Sequence, residues 1–375
     1  MAPPRITWRQ VRRWRVRRQL LLDPAPDAVA VASRLAGIHA QVASSSALIA
    51  GVRSAAPADL DRALWTDRAL VRTWAARGTL HLLPAAELDH WVGALTARDS
   101  RRRFPPAFER EHGVTGAQLE AVTDAVGEVL GGEPLTRAAL SAALVERVGD
   151  PALAGPLSSG WGALLKPAAA RGLLCSGPSA AGAATFVSPT AWLGRALAPV
   201  DADTAERWAL LRFLAANGPA TPADVARWWG EQPAPWKRVV RAAADALAPV
   251  EVDGEAGYVV RAQDADELAA VPDGGRDDAD APLLLPGFDP WVIAPLSHRA
   301  RAVPPDRRAE VSRAAGWISP VLVVDGLVAG VWEHRDGAVD VRPFAPLPAA
   351  VRAGVDAAAA RLAPLLRATP ARAIP

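Results

Sequence analysis

The chain has 375 residues, half of them hydrophobic, with 42 Lys+Arg against 40 Asp+Glu and one cysteine. That length allows two to four domains, the lone Cys175 excludes an internal disulfide or a cysteine-rich zinc site, and no apolar run approaches the ~18–20 residues that span a bilayer. A net charge of +2 gives no bulk signal for nucleic acid, and although only Lys166 and Lys237 among the cations are lysine, a G+C-rich coding sequence produces the same arginine bias.

The opening Met1-Ala2-Pro3-Pro4-Arg5 lacks the apolar core of a signal peptide, so a reducing cytoplasm is the expected compartment. Seven arginines then fall by position 18, namely Arg5, Arg9, Arg12, Arg13, Arg15, Arg17 and Arg18. With Ile6, Val11, Trp14 and Leu20 to Leu22 between and after them, residues 7–22 read as a basic amphipathic helix, either facing DNA or carrying a solvated basic face.

The helix-like apolar run 29–38 ends on His39-Ala40-Gln41. Neither an imidazole nor a carboxamide is buried without partners except at a cost of roughly 1–3 kcal/mol per unsatisfied group. Two such groups at i and i+2 suggest a small polar site at the mouth of a cleft, or else a satisfied core histidine beside a surface glutamine. The two side chains point the same way only on extended backbone, so a shared site requires the helix to have ended, and Ser44-Ser45-Ser46 is compatible with such a break.

A local pattern recurs further along. Residues 69–78 read as a helix stopped at Arg77-Gly78 before a strand at 79–83; residues 163–172 read the same way, stopped at Arg171-Gly172 before Leu173-Leu174-Cys175. Pro134-Leu135-Thr136-Arg137 opens a capped helix upstream of the second copy. A third unit runs from a helix at 207–215 through the N-cap Thr221-Pro222 and a helix at 235–241 to a strand pair at 250–260. Helix, turn, helix and hairpin is the winged-helix order.

The acidic stretch 264–280 reads as a linker. Beyond it lie short strands at 282–290, 318–324, 327–332 and 339–342, with Asp325-Gly326 a two-residue hairpin signal, and a closing helix at 347–367. The expected fold is mainly α with α+β parts. It comprises three tandem winged-helix units (1–110, 111–198 and 199–263), the linker, and a β-rich, barrel-like module at 281–375.

Four segments, in order, carry a resemblance: Gly37-Ile38-His39-Ala40-Gln41, Arg77-Gly78-Thr79-Leu80-His81-Leu82, Leu285-Pro286-Gly287-Phe288-Asp289-Pro290, and Ser319-Pro320 running to Asp325-Gly326. Together they resemble the AlkZ/YcaQ-type winged-helix DNA glycosylases over nearly the whole chain. The resemblance implies three winged helices arranged around a DNA-binding channel, and hydrolysis of the N-glycosidic bond of cationic N-alkylpurines, notably N7-alkylguanine, and in several members of bulky adducts or interstrand crosslinks. It implies catalysis at His39 and Gln41. The family pattern is most familiarly Gln-x-Gln or Gln-x-Asp, so His39 departs from it at the first position.

That chemistry suits the two residues. Alkylation at N7 makes the purine a ready leaving group, leaving the protein to place a water near C1′ and stabilise an oxocarbenium-like sugar. A neutral imidazole accepts the water's proton, while a carboxamide orients the water through its oxygen. No lysine adjoins the motif, which disfavours a Schiff-base lyase and points to a monofunctional enzyme.

Arg101, Arg102, Arg103, Arg137, Lys237, Arg238, Arg241, Arg299 and Arg301 are candidates for phosphate contacts, with a solvated surface as the alternative for each. Asp325 and Gly326 are candidates to probe the lesion, or simply complete a sheet. His81 reads as structural. His90, His112, His298 and His334 show no ligand spacing, and no phosphate-binding glycine loop is present, so no metal and no cofactor are expected. The expected partner is double-stranded DNA bearing alkylated purines, met by a monomer in the cytoplasm, nucleoid-associated in a bacterium. A non-catalytic winged-helix regulator or architectural protein is the main rival, and a nucleoside hydrolase the second.

Overall fold

The computed structural model describes residues 3–55, 59–103, 105–158, 162–293, 295–335 and 338–368. Two compact units emerge, one formed by Met1–Leu60 together with Leu210–Pro375 and the other by Asp61–Ala209. Among the described residues no helix is long and apolar enough to cross a membrane.

In the first unit, Thr7 and Gln10 form a capping box that starts the helix Trp8–Arg18. The sequence grouped this helix with residues up to 110. It packs instead through Trp8, Val11 and Trp14 on Val250, Tyr258 and Leu268, and the preceding strand Arg5–Ile6 pairs in parallel with Leu247–Val252. Its basic face is neither solvated nor turned to DNA at its centre. Arg13 and Arg15 are buried; Arg13 holds Asp280 through Nε at 2.9 Å, and Arg17 pairs with Asp277. Arg15 donates to the carbonyls of Asn217, Gly218 and Pro219, and burial draws it down to about 10.

The acidic stretch 264–280 is therefore not a linker. It holds the short helix Ala265–Ala269 and supplies the counter-charges that let guanidinium groups leave water, since a buried charge persists only when paired.

The helix-turn-helix of the third expected unit is present. Thr221 and Asp224 cap Pro222–Trp229 reciprocally, Gly230 ends that helix at φ 86°, and Pro233–Ala242 follows. The hairpin Leu247–Val252 with Glu255–Arg261 completes it. Strands Leu283–Leu285, Val321–Val324, Leu327–Arg335 and Ala338–Pro343 form a four-stranded antiparallel sheet in that order. The expected barrel-like module is thus an open sheet: its first and last strands do not pair with each other. The helix Ala349–Ala368 covers one face, packing Val355, Ala358 and Leu362 on Leu284, Leu322 and Trp332.

In the second unit the expected helix at 69–78 is a β-hairpin. Leu70–Trp74 runs antiparallel to Leu80–Pro84, with Thr73 opposite His81, and Arg77 and Gly78 make the left-handed turn at φ 55° and 64°. The strand is buried on both faces apart from Arg72, so apolar periodicity could not separate it from a helix; its β-branched Val71 and Thr73 were the better signal. The second copy folds as expected. Helix Lys166–Ala170 gives way to strand Cys175–Ala180 through Gly172 at φ 71°, where an added Cβ would fall 2.9 Å from Leu197. Burial pushes the Cys175 thiol up to about 12, leaving it unreactive.

Candidate active site

The His39 segment is shaped by two successive left-handed residues. Helix Ala28–Arg34 ends at Leu35, Ala36 and Gly37 take φ 57° and 94°, and the chain leaves in the extended pair Ile38–His39. The helix has ended, as a site shared by residues 39 and 41 requires. The serines do not make the break; they form the first turns of the next helix, Ala43–Gly51, where Ser46 Oγ donates to the Ala43 carbonyl. His39 is 5 % exposed, whereas Gln41 stands exposed in the bend between strand and helix.

One face of the imidazole is covered by a residue of the segment Leu285 to Pro290, for which the sequence predicted no role. The Phe288 ring stacks on His39 with centroids 5.1 Å apart and planes at 9°, while Trp317 meets Phe288 edge-on at 5.1 Å. Phe288 sits at φ 59°, in the left-handed region that disfavours a bulky side chain.

Its neighbours hold it there. The Trp332 indole donates to the Leu285 carbonyl at 2.9 Å, and Gly287 lies so close to the Ile318 carbonyl that a Cβ would fall 2.9 Å from it. Asp289 and Arg53, neither with exposed side-chain area, share two 2.8 Å hydrogen bonds. Asp289 Oδ1 also accepts the Trp291 amide, and Arg53 donates to the Gln19 and Ile49 carbonyls. A buried bidentate ion pair thus ties the loop carrying Phe288 to the residue two places after the Ala43–Gly51 helix. Nothing local in the sequence marks this pairing, because Arg53 and Asp289 lie 236 residues apart.

The sequence profile of the family described as DNA glycosylase AlkZ-like matches residues 32–365. The chain belongs to that family. The interstrand DNA cross-link repair glycosylase of Streptomyces sahachiroi is 37% identical over 352 residues, 91% of each chain. A solved structure, the Streptomyces sahachiroi DNA glycosylase AlkZ, superposes with a TM-score of 0.86 at 36% identity, covering 96% of this chain and 97% of that one.

The other expected site residues of this AlkZ-like chain are scattered. Arg101 holds buried Glu206 at 2.6 Å, Arg102 pairs with Asp99, and Arg103 donates to neighbouring carbonyls. Arg137 lies over the Phe186 ring at 5.3 Å, its pKa lowered by burial. Lys237, Arg238 and Arg241 are exposed on one short helix. Arg301 is taken up by Glu255 and lies over the Trp8 ring at 4.6 Å, whereas Arg299 is half-buried.

Asp325-Gly326 does form the expected turn, with φ 51° and 70°, but it is not a free-standing probe. Arg12 Nε donates to the Asp325 carbonyl, and the Arg12 side chain lies against Gly326, so the turn is docked on the N-terminal helix. His81 is buried, its Nδ1 donating to the Thr79 carbonyl at 2.9 Å. Among the described residues no group of three His, Cys, Asp or Glu is placed to hold a metal ion.

Proposed function

We propose that the protein hydrolyses the N-glycosidic bond of cationic N-alkylpurines in duplex DNA, N7-alkylguanine foremost, with His39 as the base and Gln41 orienting the attacking water. The observation that carries this reading is the imidazole fixed on extended backbone by the Ala36-Gly37 reversal and clamped by Phe288, two residues before an exposed carboxamide. A rigidly placed ring is what general-base catalysis demands. The name of the 37% identical relative extends the reading to interstrand crosslinks. A cationic purine leaves without protonation, so two polar residues suffice, with no cofactor. No lysine flanks the motif, and release of base without strand cleavage follows.

The test is a duplex carrying one N7-methylguanine. The protein releases the base and leaves an abasic site; His39→Ala lowers the single-turnover rate by about 10²–10⁴-fold, the usual worth of a general base, and keeps DNA affinity. Gln41→Ala lowers it as well. The low exposure of His39 favours a second reading, a histidine kept for packing. Under that reading His39→Ala lowers stability and leaves the rate of the folded fraction unchanged.

A further inference from the structure

Between the helices Leu296–Ala302 and Arg308–Val311 lies a cleft of about 260 Å³ lined by Leu296, Arg299, Ala300, Val303, Arg308 and Ser312 among others. The arginines around it divide into two sets. Arg301 and Arg307 are neutralised by Glu255 and Glu310. Arg299 has no such partner: beyond burial, the groups acting on it are two more cations, Arg227 and Arg308, and all three depress its tendency to stay charged. Among the described residues none of this trio forms an ion pair.

Arg227 is brought in by the fold. Asp224, one helical turn earlier on the same face, accepts the Ser297 amide at 2.9 Å and its hydroxyl at 2.8 Å, locking Pro222–Trp229 against the start of the helix that carries Arg299. Three like charges held together lower stability unless an anion joins them, and guanidinium groups bind phosphate oxygens bidentately. Leu296, 47 % exposed at the rim, offers an apolar surface beside the cations, suited to the sugar face of a nucleic-acid backbone.

We infer that Arg227, Arg299 and Arg308 form a phosphodiester-binding cleft that grips the DNA backbone without reading sequence. This rests on the reading of the protein as a DNA glycosylase, but it is tested on undamaged duplex, where excision plays no part. Affinity is measured against salt for the full chain, for Arg227→Gln/Arg299→Gln/Arg308→Gln, and for Arg307→Gln, whose charge Glu310 already takes up, as a control.

Each lost phosphate contact makes the slope of log K against log salt shallower by about 0.9. The triple variant is expected to lose about 2–3 from the slope on any sequence, and Arg307→Gln nothing. Arg227→Glu and Arg308→Glu, which reverse exposed charges and spare the fold, are each expected to weaken binding. An unchanged slope in the triple variant, or an equal loss in Arg307→Gln, overturns the cleft. Excision of N7-methylguanine by the wild-type protein alongside either result leaves the enzymatic reading standing.

Discussion

Asp289 is the position where fold and chemistry are most tightly joined. Its two oxygens take both terminal nitrogens of Arg53 at 2.8 Å, and neither side chain has exposed area. Breaking a buried pair by removing one partner costs about 3–5 kcal/mol, because the remaining charge stays desolvated. Asp289→Ala leaves Arg53 with only the Gln19 and Ile49 carbonyls and strips the acceptor from the Trp291 amide, so the full range applies. Asp289→Asn keeps one acceptor oxygen and belongs at its lower end, about 3 kcal/mol. The double variant Arg53→Met/Asp289→Leu removes both charges and recovers most of the stability.

Excision should not follow stability in this series. Freed of Asp289, the loop no longer holds Phe288 on His39, and a misplacement of about 1 Å costs a reacting geometry roughly 10²-fold. Urea unfolding and single-turnover excision of N7-methylguanine are measured on the three variants at a temperature where each is folded. Slow excision by the double variant despite recovered stability is the expected result. Asp289→Ala unfolding within about 1 kcal/mol of the wild type, or a double variant with full activity, refutes the argument.

His298 is buried against Trp291, with no protein hydrogen bond to either ring nitrogen, and burial first, then Arg15 and Arg12, hold its pKa well below the usual histidine range. The folded state keeps it neutral while the unfolded chain takes up a proton below about pH 6.5, so stability falls as pH drops through that value; His298→Phe abolishes this slope in unfolding measured from pH 7 to 5. Asp280 is held below the usual carboxylate range chiefly by its hydrogen bonds with Arg13. Its contribution is present above the unfolded value of about 3.9 and is lost as pH falls through the lower folded value, so Asp280→Asn flattens the acid limb of the same measurement below about pH 4. Phe288→Leu keeps an apolar side chain but removes both ring contacts, and lowers excision by about 10-fold or more with DNA affinity intact, as titration of labelled duplex checks.

Elements that announce themselves locally were legible. Thr221-Pro222 capped its helix, Asp325-Gly326 turned its hairpin, and Gly172 let the chain reverse, because capping and left-handed turns are decided by the residues that make them. The basic N-terminal helix shows the opposite case. Its arginines looked like a surface, and the acidic stretch 264–280 looked like a linker, because each segment was read alone; their pairing across more than 250 residues turns both into core. The strand at 79–83 was legible and folds as Leu80–Pro84, but its partner Leu70–Trp74 was missed because burial on both faces erases the alternation that marks a strand. His39 was visible as an uncommon polar residue at the end of an apolar run, but its clamp was not, since stacking between residues 39 and 288 leaves no local trace.

Phe288 then raises an energetic question. A non-glycine residue in the left-handed region costs about 1–3 kcal/mol, and glycine at 288 would remove that strain. Against it stand two aromatic contacts, worth about 0.5–1.5 kcal/mol each beyond area, and the burial of a phenyl ring that is only 9 % exposed, about 1.5–3 kcal/mol. The contacts and burial sum to about 2.5–6 kcal/mol and outweigh the strain, so packing alone already accounts for a phenylalanine here. What the ring supplies and glycine does not is a plane parallel to His39, held in place by the ion pair of the adjacent Asp289 with Arg53. That plane fixes the orientation of the imidazole, which is what the proposed base at His39 requires.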